Sequence, residues 1–176
     1  MLDLECLDSC TTAAIISIGA VYFDLEEQIL GPELYIELSK YALMDQLSRG
    51  RTWSVDTNIW WMKQTTEARE VWSNTYEKRS NQGCLHDLLT FFNLFTGKKT
   101  VWGNGSTYDN ICLRSYFECF DVNVPWEFKN DLCYRTIKVL FGNRAKVSSI
   151  GTHHNALDDA KTQAQHLMSM LKKAKK

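Results

Sequence analysis

The sequence predicts an α/β fold, a mixed sheet whose first three strands run antiparallel and are flanked by helices. Three observations point to it. Short apolar and β-branched runs fill the first 39 residues, segments with apolar residues at helical spacing follow, and one further strand, KKTVWGNG, interrupts them. Three strands, helices, one strand and again helices suit a sandwich of helices around a sheet. A length of 176 residues, with only two prolines and nine glycines, reads as a single domain over 1–176 without linkers.

MLDLEC is the first strand. Its alternation puts Leu2 and Leu4 on one face and Asp3 and Glu5 on the other. Two neighbouring carboxylates suit either an exposed face or a site for a cation. Only two residues precede Asp3, so either the strand continues past Glu5 or its ladder is short and prone to fraying. AAIISIGAVYFDL (13–25) is too uniformly apolar for an amphipathic helix and reads as a buried strand ending in the turn Glu26-Glu27-Gln28. ILGPELYIELS is the third strand, with Gly31-Pro32 marking a bulge or an edge.

Helical segments begin after residue 40. Asp56 is a candidate cap for a helix through Ile59, Trp60, Trp61 and Met62, and Thr65 or Thr66 for TTEAREVWSNTYEK. Ser80 is placed to cap CLHDLLTFFNLF, and Thr107 to cap TYDNICLRSYFECF after the KKTVWGNG strand. A helix near Tyr134–Phe141 and a last one near Asn155–Leu171 complete the chain.

Composition narrows the function. A net charge of −1 gives no global basic field for a purely electrostatic nucleic-acid binder, though it leaves room for an enzyme with a local groove. No run has the length of a transmembrane helix and no signal segment is visible, so no membrane partner is expected. The six cysteines form no CxxC pair, which argues against zinc or a disulfide framework and for reduced thiols in a cytoplasm. The terminal KKAKK reads as a solvated tail.

Carboxylates gather at three separated places: Asp3 and Glu5, Asp109, and Asp158-Asp159. Each alone has a plain structural reading, since acidic residues in a first helical turn complement the dipole. On the last helix, at roughly 100° per residue, Ala156, Ala160, Ala164, Leu167 and Leu171 form an apolar stripe. Asp158 lies opposite the stripe and is expected in solvent, whereas Asp159 lies on its flank, facing the sheet. His154 precedes Asp159 by five residues, where its ring can lean over the same site.

Asp3-Leu4-Glu5, then WGNGSTYDN with Asp109, then HNALDD from His154 to Asp159 resemble the DEDD exonucleases, and the histidine spacing matches the DEDDh branch of DnaQ-like proteins with an RNase H-like fold. AAIISIGAVYFD and DTNIWWMKQTTEAR are similar to phage and prophage exodeoxyribonucleases of the exonuclease VIII type, to which a mycobacterial exoribonuclease is related. The resemblance runs from residue 2 to about residue 170.

That resemblance implies a 3′–5′ exonuclease using two divalent cations, Mg²⁺ or Mn²⁺, held by Asp3, Glu5, Asp109 and Asp159, with Asp3 bridging. His154 is implied as general base; His153 is assigned to the surface or the substrate edge, and His86 and His166 to structural or solvated positions. It further implies a single-stranded 3′ end as partner, DNA favoured over RNA, in a bacterial or phage-infected cytoplasm, with a homodimer as an option. The backbone after D-x-E, here Cys6 and Leu7, is implied to hold the terminal nucleotide's hydroxyl, with Leu7 wedging a base. Trp60 and Trp61 cannot both face one core, so one of them, Trp61, is a candidate stacking surface for a base; packing of both is the alternative. Asn104 and Asn110 are candidates for substrate hydrogen bonds or for turn and cap roles. The remaining alternatives are an exoribonuclease of the same fold and a non-catalytic nucleic-acid-binding module.

Overall fold

The alternation in MLDLEC becomes the centre of the sheet. The computed structural model describes residues 1–73, 78–142 and 146–174. Five strands, β1 (Leu2–Cys6), β2 (Ile15–Asp24), β3 (Ile29–Glu37), β4 (Val101–Gly103) and β5 (Asp131–Cys133), lie in the order β3-β2-β1-β4-β5. The first three are antiparallel neighbours, whereas β4 pairs parallel with β1 and β5 parallel with β4. The expected fold is thus observed.

β1 does continue past Glu5. Cys6 remains in the ladder, and the Leu7 amide donates to Ala14 O at 2.9 Å. Ahead of Leu2, the Val21 amide donates to Met1 O at 2.9 Å. Asp3 therefore lies inside a paired strand with neighbours on both sides. The register slips between Glu5 and Cys6, and the side chain of Gln46 serves the backbone of Ile15 there, accepting from its N–H at 2.8 Å and donating to its carbonyl at 3.1 Å. β3 is an edge strand carrying one extra residue around Gly31-Pro32, where a missing amide donor is tolerated.

Seven helices are described: α1 (Lys40–Ser48), α2 (Val55–Met62), α3 (Thr66–Arg69), α4 (Asn81–Asn93), α5 (Asp109–Cys119), α6 (Tyr134–Phe141) and α7 (Ala156–Ala174). Leu2, Leu4 and Ile18 pack on one face of the sheet with Leu88 of α4 and Leu113 and Phe117 of α5. On the opposite face Val21 meets Ala160, Ala164, Leu167 and Met170 of α7 and Tyr134 of α6. The Asp3/Glu5 face is not open to solvent; α7 covers it.

Local chemistry corrects several sequence expectations. Ser54, not Asp56, caps α2, accepting from the Thr57 amide at 3.0 Å, and Asp56 falls in the first turn. Thr107 caps nothing, because the chain turns through Gly105 and the Asp109 amide bonds to Gly105 O instead. TTEAREVW is only one α-helical turn, capped by Thr65, followed by a 3-10 turn at Glu70–Trp72. Its continuation over 74–77, and residues 175–176 of the basic tail, fall outside the described residues. β5 was not anticipated: a three-residue strand has no periodicity to read, and Asp131 is there to accept from Trp126 Nε1, Asn110 Nδ2 and Arg114 Nε.

α7 reaches β2 through the stripe of alanines, and its first turn rests on Gly19. A methyl group built on Gly19 would overlap the carbonyl group of Ala156 and the amide of Leu157. Gly19→Ala is therefore expected to destabilise the protein by about 3 kcal/mol or more, since the obstruction is backbone and cannot rotate away. Denaturant unfolding checks this; a loss under about 1 kcal/mol would mean that α7 can shift freely.

Candidate active site

Asp3 pairs across the sheet with Gly19 and Glu5 with Ser17, so both carboxylates lie under the start of α7. Asn155 shapes that start, its Oδ1 accepting from the amides of Leu157 and Asp158 at 3.1 and 3.2 Å. Asp158 is not simply solvated: its Oδ2 accepts from the Thr152 amide at 2.8 Å and braces the preceding loop. Asp159 Oδ2 accepts from the His154 amide at 2.9 Å. This bond holds His154 at φ +66°, a left-handed conformation that a residue with a Cβ adopts at a cost of about 1–2 kcal/mol.

Carboxylate oxygens of Asp3, Glu5 and Asp159 lie within 4.8 Å of one another, and a nitrogen from each of His153 and His154 approaches Asp159 within the same limit. His154 Nδ1 is 4.0 Å from Glu5 Oε1. Asp109 enters from the opposite side of β1 as the first residue of α5, immediately after the β4 turn. Gly103 makes room for it, because a side chain there would overlap the side-chain Oδ1 of Asn110 and press on Asp109 Cβ.

Asp3, Glu5 and Asp109 are buried and Asp159 is half-buried against them, and no Lys or Arg forms an ion pair with Asp3, Glu5 or Asp159 among the described residues. Burial, then the charges of Asp3, Asp159 and Asp109, push the Glu5 carboxyl up to about 10. Asp3 is likewise raised, by burial and by Asp109, with the hydrogen bond from Gln163 opposing. Burial lifts Asp109 to about 7, against its own amide, the Arg135 guanidinium and the amides of Leu4 and Asn104. His154 is lowered, chiefly by burial and by its neighbour His153, while Asp159 opposes. Hard oxygen donors at close range, without a protein cation to balance them, fit a divalent metal such as Mg²⁺ or Mn²⁺. Asp3, Glu5 and Asp159 would hold it, with Asp109 alongside.

The residues expected at the substrate fare differently. Trp61 is 2% exposed and its indole N–H donates to Cys6 O at 3.0 Å, so it has no free face for a base; Trp60, 41% exposed, stands edge-on to His154 with ring centroids 4.8 Å apart. The Leu7 amide is taken by Ala14 O, and its side chain is buried with Ala14, Ile16, Trp61 and Val71 rather than wedged outward. Cys6 is buried beside Cys112 and Tyr108, its carbonyl occupied by Trp61. Asn104 lies in the turn before Asp109, with its carbonyl accepting from Arg135 at 2.7 Å. Asn110 is structural, donating to Val101 O and Asp131 Oδ1. His153 is surface-exposed as expected, His86 is exposed, and His166 bonds Tyr134 Oη at 2.8 Å. Sequence reasoning missed Gln163, whose Nε2 donates to Asp3 Oδ1 at 2.7 Å, and Arg135 beside Asp109. Gln163 was discoverable in principle, one turn beyond Asp159 on the same helix face.

The raised carboxyls give a pH signature. Without cations the folded state holds protons that the unfolded chain releases near the ordinary carboxylate value, so stability falls as pH rises from about 4.5 through about 7 and towards about 10. The Met1 amine, lowered to about 5 by burial, works the other way between about 5 and 8. The site's own contribution is therefore the difference between melting in Mn²⁺ and in EDTA, which is expected to grow from about pH 5 to about pH 9. A difference that shrinks with pH would exclude cation binding by ionised acids here.

The family model of the 3'-5' exoribonuclease Rv2179c-like domain matches residues 1–171. A solved structure titled "crystal structure of full-length 3'-exonuclease" shares the fold, with a TM-score of 0.54 at 15% identity over 98% of this chain and 80% of that chain. No curated protein matches the chain. With the model spanning nearly all of its length, the chain belongs to the family of 3'-5' exoribonuclease Rv2179c-like domains, and with it to the 3′–5′ exonucleases.

Proposed function

We propose that this protein hydrolyses the terminal phosphodiester of single-stranded RNA from the 3′ end, by the two-cation chemistry of the DEDDh exonucleases. The observation that carries the reading is the close group of two buried carboxylates from β1 and a half-buried one from α7, beside Asp109 and within reach of a histidine. Asp3, Glu5, Asp109 and Asp159 would be the ligands. Divalent cations bound there supply positive charge to the phosphate and to both the attacking and leaving oxygens.

The chain's own groups do the rest. His154 has its pKa lowered by burial and can accept the proton of the attacking water. Water forms the new P–O bond, the bond from phosphorus to the 3′ oxygen breaks, and that oxygen takes a proton from solvent. The product is a nucleoside 5′-monophosphate. Trp60, exposed beside His154, offers the terminal base a stacking face, a role that its burial denies to Trp61.

RNA is preferred to the DNA expected from sequence because the matched family is described by exoribonuclease activity. Single-stranded DNA is the second reading, favoured by the similarity of DTNIWWMKQTTEAR to phage exodeoxyribonucleases.

Matched RNA and DNA oligonucleotides labelled at either end, incubated with Mn²⁺, Mg²⁺ or EDTA, are expected to shorten from the 3′ end only, RNA faster, and only with metal. Degradation in EDTA or from the 5′ end would sink the mechanism or the direction. Asp3→Asn is expected to abolish turnover and the cation-induced rise in melting temperature, while the metal-free protein stays folded because a repulsion is removed. His154→Ala is expected to cost about 10²–10⁴-fold in kcat and to leave the cation-induced rise in place. Trp60→Ala is expected to raise KM by about ten-fold, near the lower end of the range for one lost base stack; an unchanged KM would remove Trp60 from the substrate path.

A further inference from the structure

Gln163 stands one turn beyond Asp159 on α7, so both side chains leave the helix on the side that faces β1. It is 8% exposed, and its Nε2 donates to Asp3 Oδ1 at 2.7 Å. Its Oε1 is buried without a hydrogen-bond partner. A buried amide with one satisfied end is a poor device for stability, because the unpaired acceptor has lost its water and gained nothing. The one bond that it does make goes to the most central carboxylate of the group.

We infer that Gln163 is a positioning residue, fixing the Asp3 carboxylate by one oxygen so that the other is left for a cation. This rests on reading the four acids as cation ligands. Side-chain chemistry explains why an amide is used. It donates to Asp3 without bringing a charge. A lysine of similar reach would set a permanent cation among Asp3, Glu5 and Asp159, and a methionine of similar length would leave Asp3 unheld. Removing a group that orients a metal ligand typically weakens metal affinity or activity by about 10–100-fold.

The test is titration of the metal-free protein with Mn²⁺ alone, followed by calorimetry and by thermal unfolding, together with steady-state kinetics on a labelled oligonucleotide. Gln163→Met is expected to weaken Mn²⁺ binding by about ten-fold or more and to lower kcat with KM little changed. Its metal-free melting temperature is expected to stay equal or rise, because the unpaired acceptor is gone. A merely structural role predicts the opposite pattern, lower metal-free melting with unchanged Mn²⁺ affinity, and that result would overturn the inference. Gln163→Lys, which supplies its own counter-charge, provides a second route: higher metal-free melting and no Mn²⁺ response. Mn²⁺ binding by that variant equal to the natural protein would also overturn it. Failure of the natural protein itself to respond to Mn²⁺ removes the cation reading and this inference together, whereas a normal response in natural protein and variants alike removes only the role of Gln163.

Discussion

The contact between Gly19 and the first turn of α7 is the constraint on which the site depends. β2 supplies a residue with no side chain at the point directly across from Asp3, and the backbone of Ala156 and Leu157 settles into that space. Any larger residue would hold the helix away from the sheet. At van der Waals range, a single turn of α7 carries Asp159 to Asp3 and Glu5, and Gln163 one turn later. The alanines at 156, 160 and 164 continue the close approach along the helix. A second glycine, Gly103, leaves room on the other side of β1 for the side chains of Asn110 and Asp109 at the start of α5.

Close packing brings like charges together, and the structure carries this cost openly. Among the described residues no lysine or arginine forms an ion pair with the three nearest acids, and burial and mutual repulsion raise Asp3 and Glu5 well above the ordinary carboxylate range. Asp109 is treated more gently, with Arg135 and backbone amides facing it. The loop before α7 is similarly strained in one place, where His154 occupies left-handed backbone and Asp159 accepts its amide. One carboxylate therefore both joins the acidic group and sets the histidine beside it. Left-handed backbone at a histidine beside crowded, mutually repelling carboxylates is a physical mark of a functional site.

Much of this was legible in the sequence because it is local. Alternation in MLDLEC, the long apolar run of β2 and the alanine stripe of α7 are periodic patterns that need no partner to be recognised. Capping residues were read correctly where only one candidate preceded the helix, as at Ser80, and wrongly where a turn used backbone instead, as at Thr107. β5 escaped because three residues are too few to show a period, and its position depends on Asp131 meeting Trp126, Asn110 and Arg114.

The sequence by itself determined which residues could gather: two acids on one strand face, an acid on the flank of the last helix, and a histidine five residues ahead of it. Periodicity fixes the direction of a side chain relative to its own element. Only the tertiary structure decided what each direction meets. It chose Trp60 over Trp61 for exposure, because α2 turns Trp61 into the core against Cys6. It committed the Leu7 amide to Ala14, and it joined Gln163 to Asp3 across 160 positions of chain. Such contacts depend on how closely two elements approach, and that distance was set by a glycine whose role is invisible until the helix lies upon it.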